Sequence, residues 1–294
     1  MTPREDLYQP RLRRRRVVGR LFTWSCAAMS LIGVGVLAVL IVRVFLDGYP
    51  SLSLDFLRRF PSVLMPETAG IKSALWGTLW LIAITLLVAV PVGIASAVYL
   101  EEYAADNRLT RFIHLNIANL AGVPSIVYGI LGLALFVRWL HLGRSVLAGA
   151  LTVSLLVLPV IIIASREALA AVPDSFRQAA YGLGATRWLT VRSHVLPAAL
   201  PGIVTGVILA LSRAIGEAAP LIMIGALTYV AFVPAGPLDD FTAMPIQIYD
   251  WCDRPQHEFH QLAAAAIIVL LGILLPMNAV AVAMRAWHNR RKVW

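Results

Sequence analysis

The stretch GIVTGVILALSRAIGEAAPLIMI, residues 202–224, is apolar over the length of a bilayer yet carries two charges. Arg213 and Glu217 are the only charged residues inside the apolar spans predicted for this chain. A charge at bilayer depth costs roughly 3 kcal/mol, so it normally faces a partner or a water-filled path. At a spacing of four residues, both side chains are expected on one face of a helix. The pair is therefore either a structural ion pair or part of the path of a solute.

The composition is that of an integral membrane protein. Of the 294 residues, 59% are hydrophobic, and the mean hydropathy is +0.77. The formal net charge of +9 is compatible with nucleic-acid binding, but the basic residues flank apolar stretches, which is typical of membrane orientation. We therefore predict no nucleic-acid partner. Cys26 and Cys252 lie in different environments, one in a span and one in a polar loop, so no disulfide is predicted.

Six apolar stretches have the length that a bilayer core demands. They predict an all-α, polytopic membrane protein with six transmembrane helices, at roughly 21–42, 74–100, 117–137, 146–165, 202–230 and 262–284. The predicted division of the chain is a basic cytosolic arm at 1–20, a first transmembrane helix at 21–46, an external loop at 47–73, a five-helix core at 74–284 and a basic cytosolic tail at 285–294.

The distribution of basic residues predicts the orientation. One side of the membrane receives 17 Arg and Lys residues, including those of both termini, and the other side receives 7. By the positive-inside rule, both termini and the loop 166–201 are cytosolic, and the long loop 231–261 is external. That external loop either docks an extracytoplasmic partner or only caps the bundle.

Proline and glycine positions predict where the helices bend and where they pack closely. Internal prolines should kink or loosen their helices; they are Pro91, Pro124, Pro159 and Pro220. Two glycine pairs should permit close helix packing; they are Gly129 with Gly132 and Gly202 with Gly206.

The cytosolic loop 166–201 contains a predicted short amphipathic helix. Pro173 breaks the preceding helix, Asp174 or Ser175 is expected as the N-cap, and Gly182 with Gly184 should end the helix. Small and apolar side chains then share one helical face; they are Phe176, Ala179, Ala180 and Leu183. Such a face suits insertion into a cleft of another protein.

The residues of this loop resemble a known family. Gln178-Ala179-Ala180, followed by Gly184 and later by Leu196-Pro197, is similar to the loop motif of permease subunits in binding-protein-dependent ABC importers. Gln178 replaces the usual Glu of that motif, and His194 replaces its usual Ile. The resemblance implies the type I ABC importer permease fold and a coupling helix that fits a groove of an ATPase subunit. It implies ATPase contacts at five positions, namely Phe176, Gln178, Ala179, Ala180 and Gly184.

A second resemblance narrows the family to its phosphate-importing branch. The stretch 212–221, SRAIGEAAPL, is similar to the signature of one permease subunit of phosphate importers, supported by the stretches at 98–103, 123–129 and 244–249. It implies that Arg213, Glu217 and Ser125 lie in the path of inorganic phosphate across the plasma membrane. It also implies a paired permease subunit, two ATPase subunits and an extracytoplasmic phosphate-binding protein. Family members usually carry Thr where Ala218 stands, so that hydroxyl is missing here.

The sequence predicts a transport subunit and not an enzyme. A Walker A loop needs Gly-Lys-Ser/Thr, which neither Lys72 nor Lys292 supplies, so ATP hydrolysis must come from a separate subunit. No catalytic cluster, metal-ligand spacing or cofactor motif is found, and the six histidines are expected to be solvated or interfacial. The alternatives are a permease for another oxyanion, such as molybdate or sulfate, and a secondary transporter or ion channel. A membrane-embedded enzyme is the weakest alternative.

The orientation is testable by cysteine labelling. In a background lacking Cys26 and Cys252, a cysteine at position 10 and one at position 245, in the loop 231–261, should react with impermeant reagents from opposite sides. Labelling of both positions from outside intact cells would contradict the predicted topology.

Overall fold

The computed structural model describes residues 12–226 and 229–291, and the chain is almost entirely helical in these ranges. The helices are α1 (Leu12–Gly48), α2 (Leu54–Arg58), α3 (Lys72–Val98), α4 (Arg108–Ala121), α5 (Ser125–Gly132), α6 (Val146–Ala170), α7 (Asp174–Gly182), α8 (Arg187–Thr190), α9 (Leu196–Ile215), α10 (Ala219–Ile224), α11 (Met244–Cys252) and α12 (His257–Arg291). Three π-helical turns extend or join them: Tyr99–Tyr103 continues α3, Leu133–Trp139 continues α5, and Val191–Val195 joins α8 to α9.

The all-α, polytopic prediction is confirmed, but the third and fifth spans differ from the prediction. Within the described residues, five helices are long and apolar enough to cross a membrane, and a bent pair makes a sixth. That pair replaces the continuous helix predicted at 117–137: the segment 108–121 meets the segment 125–139 at 101°. The chain turns at Gly122 and Pro124, where the pyrrolidine ring disfavours a helical conformation of the preceding residue.

The first helix begins earlier than predicted. The basic arm was placed at 1–20, but α1 starts at Leu12 and runs without interruption to Gly48; residues 1–11 lie outside the described ranges. The apolar side chains of α1 are exposed along its length, and the helix packs on α12. The contact is close at Gly48, where a Cβ would lie 2.6 Å from the backbone of Ala264 and Ala265.

Helix α6 lies at the centre of the bundle, between α3 and α9. On the α9 side, a Cβ on Gly206 would lie 2.5 Å from Ala164 Cβ, and one on Gly202 would lie 2.8 Å from Ala168 Cβ. The predicted close packing at this glycine pair is confirmed. Because lipid supplies no hydrophobic drive for helix association, such close backbone approach is a main source of stability in membranes.

The external side has a small core of its own. The Phe56 ring of α2 lies 6.1 Å from the Trp251 ring of α11, tilted by 37°, and both residues pack with Phe259 at the start of α12. Helix α2 begins after Ser53, whose hydroxyl accepts a capping hydrogen bond from the Phe56 N–H.

The predicted external loop 231–261 is built into the bundle. It contains α11, and its Met244 N–H donates to the Thr78 hydroxyl of α3 at 2.9 Å. Gly77 leaves room for the Thr242 carbonyl, which a Cβ would meet. Pro245 is buried whereas Tyr249 is 57% exposed, so Tyr249 is the better position for an external label.

The α6–α9 contact generates a stability prediction. Gly206→Leu should destabilise the folded subunit by about 1–3 kcal/mol, because the added side chain must enter the space of Ala164. Gly272→Leu is the matched control, since nothing lies within 4 Å of a Cβ there. Thermal unfolding of the two purified variants in detergent measures the difference, and equal melting temperatures would refute this packing.

Candidate functional site

The two intramembrane charges lie at the point where the fifth predicted span breaks. That span was predicted as one helix at 202–230, but α9 ends at Ile215 and α10 begins at Ala219. In a continuous helix Pro220 could not donate to the Gly216 carbonyl and its ring would clash with that carbonyl, which favours a break here. Arg213 is in the last turn of α9, and Glu217 is in the break, so the two do not share one continuous helix.

Arg213 and Glu217 nevertheless contact each other. The Arg213 Nε donates to Glu217 Oε1 at 3.4 Å. The Glu217 side chain is 20% exposed and the Arg213 side chain is 59% exposed. The carboxylate is therefore largely covered, while most of the guanidinium faces away from this chain.

The packing against α6 gives the depth of this pair. Gly202 lies opposite Ala168 and Gly206 opposite Ala164, so the two helices run antiparallel. Continuing this register places Arg213 level with Val157, near the middle of α6 (Val146–Ala170). The pair lies near mid-membrane, where non-helical backbone is tolerated only against protein or a water-filled cavity.

Ser125, the third predicted pathway residue, is the first residue of α5. One turn later, a Cβ on Gly129 would meet Pro220 Cα at 2.8 Å, so α5 packs directly on α10 after the break. Among the described hydrogen bonds, none joins Ser125 to Arg213 or Glu217, and its role in the path stays a prediction.

The predicted coupling helix is present as α7, Asp174–Gly182. Its N-cap is Pro173, not Asp174 or Ser175 as predicted, because Asp174 already lies in the first turn and contacts Arg177 instead. Its C-terminal end follows the prediction: Gly184 has φ +80°, a left-handed conformation that glycine adopts without strain.

The predicted docking face of α7 divides into an outer and an inner part. Gln178 and Ala179 are exposed, whereas Phe176 packs partly on the bundle core and Ala180 is only 5% exposed. Ala180 lies in a cleft of about 400 Å³ between α7 and His194. The bundle covers most of this side chain, and its contact with an ATPase subunit stays a prediction.

Large apolar side chains project from the end of α7 and from the segment that follows it. Leu183 is 90% exposed, and Tyr181, Trp188 and Leu189 are 45%, 61% and 49% exposed. Six exposed residues form what we call the α7–α8 surface: Gln178, Ala179, Tyr181, Leu183, Trp188 and Leu189. Contiguous apolar exposure on the polar side of a membrane protein is typical of a protein interface.

A buried ion pair behind α7 was missed in the sequence. The Arg177 Nη2 donates to Glu102 Oε1 at 2.6 Å, and the two side chains are 16% and 5% exposed. The hydrogen bond to Glu102, with support from neighbouring carboxylates, raises the pKa of the Arg177 guanidinium despite its partial burial. Glu102 lies in the stretch 98–103 and Arg177 in the loop 166–201. Because 75 positions separate them, a single sequence contains no signal for their contact.

Comparisons with known proteins agree with this geometry. Residues 89–293 match the family model described as "Binding-protein-dependent transport system inner membrane component". The chain is 35% identical to "Phosphate transport system permease protein PstA 1" of Mycobacterium tuberculosis, covering 78% of this chain and 75% of that protein. It is 33% identical to "Phosphate transport system permease protein PstA" of Mycobacterium leprae, covering 95% and 92%.

A solved structure gives the same fold. One chain of the bacterial alginate ABC transporter, solved in complex with an alginate-bound periplasmic protein, superposes with a TM-score of 0.61 at 15% identity. The likeness covers 92% of this chain and 94% of that one. It establishes the type I ABC importer permease fold, as predicted.

Proposed function

This chain belongs to the family of binding-protein-dependent transport system inner membrane components, and on that premise we propose that it is a PstA-type permease subunit that imports inorganic phosphate. The family and the apolar helices make it a multi-pass inner-membrane protein that transports and does not itself hydrolyse ATP. The family also implies a partner ATPase and a substrate-binding protein.

We propose a specific assembly for these partners. A paired, PstC-like permease covers the face of α9 that carries Arg213, two ATPase subunits bind from the cytosol, and an extracytoplasmic phosphate-binding protein docks outside. Both termini are cytosolic in this arrangement, in keeping with the basic residues at both ends of the chain.

The exposed guanidinium of Arg213 near mid-membrane carries the proposal. A charge that is 59% exposed at this depth is costly against lipid, so the assembled protein must present it to another subunit or to water. A planar guanidinium binds phosphate through two parallel hydrogen bonds. Glu217 accepts a hydrogen bond from the Nε of Arg213, which leaves the terminal nitrogens of the guanidinium for an anion.

The carboxylate also limits how tightly an anion is held. Glu217 is 20% exposed and close to Arg213, so an arriving phosphate is attracted by the guanidinium and repelled by the nearby negative charge. A transport site needs such moderate affinity, because the solute must leave again on the cytosolic side.

Replacement of Arg213 tests the proposal. In purified complexes in liposomes, Arg213→Gln should lower phosphate uptake per assembled complex about tenfold or more, because two charge-assisted hydrogen bonds are lost. Glu217→Gln should impair turnover more than assembly. Arg138→Gln, which removes an exposed arginine from the end of another span, is the matched control and should transport normally.

A purely structural pair predicts other results. Each single change would then lower the amount of folded subunit, and Arg213→Met with Glu217→Leu would restore both folding and uptake. Normal phosphate uptake by the Arg213→Gln complex would end the pathway proposal. Uptake of sulfate or molybdate in place of phosphate would reassign the solute.

The α7–α8 surface generates a prediction on ATPase binding. Leu183→Asp should reduce co-purified ATPase subunit about fivefold or more, because a carboxylate enters a desolvated contact. Leu64→Asp, at an external leucine that is 85% exposed, should leave the complex intact. Equal recovery of ATPase with both variants would show that the α7–α8 surface does not bind the ATPase subunit.

A further inference from the structure

Arg177 joins three parts of the cytosolic side. Besides its bond to Glu102, its Nη1 donates to the Val172 carbonyl at 2.8 Å and its Nη2 to the Leu169 carbonyl at 3.2 Å. Leu169 is in the last turn of α6, whose final carbonyls have no partner within the helix. One guanidinium therefore connects α7 to the cytosolic ends of both α3 and α6.

The side chains on α7 point in opposite directions. Arg177 is 16% exposed and faces the bundle, while Gln178 and Ala179, the next two residues, are exposed to the cytosol. Successive helix residues are rotated by about 100°, so a fixed Arg177 also fixes the direction in which Gln178 and Ala179 are presented. The inward contact thus sets the orientation of the docking surface.

Helix α3 has no short covalent connection to the cytosolic loop. Helices α6 and α9 continue directly into the loop, whereas α3 ends about 70 residues earlier, in the π-helical turn Tyr99–Tyr103. This turn carries Glu102, and its Tyr103 ring lies 5.2 Å below the Arg187 guanidinium of α8. Side chains of the turn therefore add polar contacts to the apolar packing of Ala97 with Val172, and the Glu102–Arg177 bond is the shortest of these polar contacts.

We propose that the Glu102–Arg177 pair transmits the movement of α7 to α3, which makes Arg177 a positioning residue for transport. A shift of α7 driven by the ATPase would leave Glu102 in place only by separating a buried pair of charges, which is strongly unfavourable. It is easier for the end of α3 to move with α7. This inference rests on the proposed function of the chain as an importer subunit.

A double variant separates coupling from folding. Removing one partner alone leaves a buried charge, so Arg177→Gln is expected to lower assembly as well as transport. Glu102→Gln combined with Arg177→Met removes both charges and should assemble normally. We expect its basal ATP hydrolysis to persist while phosphate uptake per ATP hydrolysed falls about fivefold to tenfold.

The neighbouring ion pair provides the matched control. Glu101 of the same π-helical turn pairs with Arg166 of α6 at 3.2 Å and does not reach α7. Glu101→Gln combined with Arg166→Met should keep uptake per ATP within about twofold of the wild-type value. If the Glu102 and Arg177 double variant also couples normally, or if both double variants are equally impaired, the proposed transmission is wrong.

A distance measurement tests the same inference without phosphate. Spin labels at Ser175 of α7 and Tyr99 of the π-helical turn, both exposed, report whether the two elements move together on addition of ATP. The wild-type pair should keep one distance in both states, and the Glu102→Gln, Arg177→Met complex should show a second, ATP-dependent distance. Failure of the wild-type complex to import phosphate would refute the proposed function, whereas an unchanged distance in the double variant would refute only the transmission.

Discussion

Close approach of helix backbones to α6 is the constraint on which the rest of this structure depends. Apolar side chains gain little by leaving lipid for a neighbouring helix, so van der Waals contact at short range must stabilise the bundle. Glycines at the helix contacts allow this short-range packing. On the segments around α6, Gly93 faces Ile161, Gly132 faces Thr152, Gly202 faces Ala168 and Gly206 faces Ala164; on α6 itself, Gly149 contacts the Phe241 ring. These contacts fix the register in which α3, α5 and α9 meet α6, and hence the depth of every functional side chain.

Two ion pairs use that scaffold in opposite ways. Arg213 is held by Glu217 on one side only and keeps 59% of its side chain exposed, which suits a group that must exchange partners during transport. Glu102 and Arg177 are 5% and 16% exposed and lie 2.6 Å apart, which suits a contact that stays closed. In our proposals the same chemistry serves solute contact at Arg213 and mechanical connection at Arg177, and the two sites differ in burial.

The sequence predicted the parts that depend on local composition. Long apolar stretches located the spans, and Pro173 with Gly184 located α7, because these residues restrict the backbone wherever they occur. It failed where the outcome depends on neighbours. Hydropathy cannot distinguish a straight helix from one that turns at Pro124 or breaks before Pro220. Helical periodicity put Ala180 and Leu183 on one apolar face, but it could not say that the bundle buries Ala180 and leaves Leu183 exposed.

The π-helical turn Val191–Val195 joins α8 to the membrane helix α9. A π-helical turn holds about one residue more than an α-helical turn, so where it joins two helices it shifts the helical phase between them by about 100°. Across Val191–Val195, the membrane part of α9 keeps its glycine register with α6 while α8 and the loop before it follow a different phase. The length of this one turn therefore sets the direction in which α8 and the loop before it leave α9. That direction can change without any change in the residues of α9 that pack on α6.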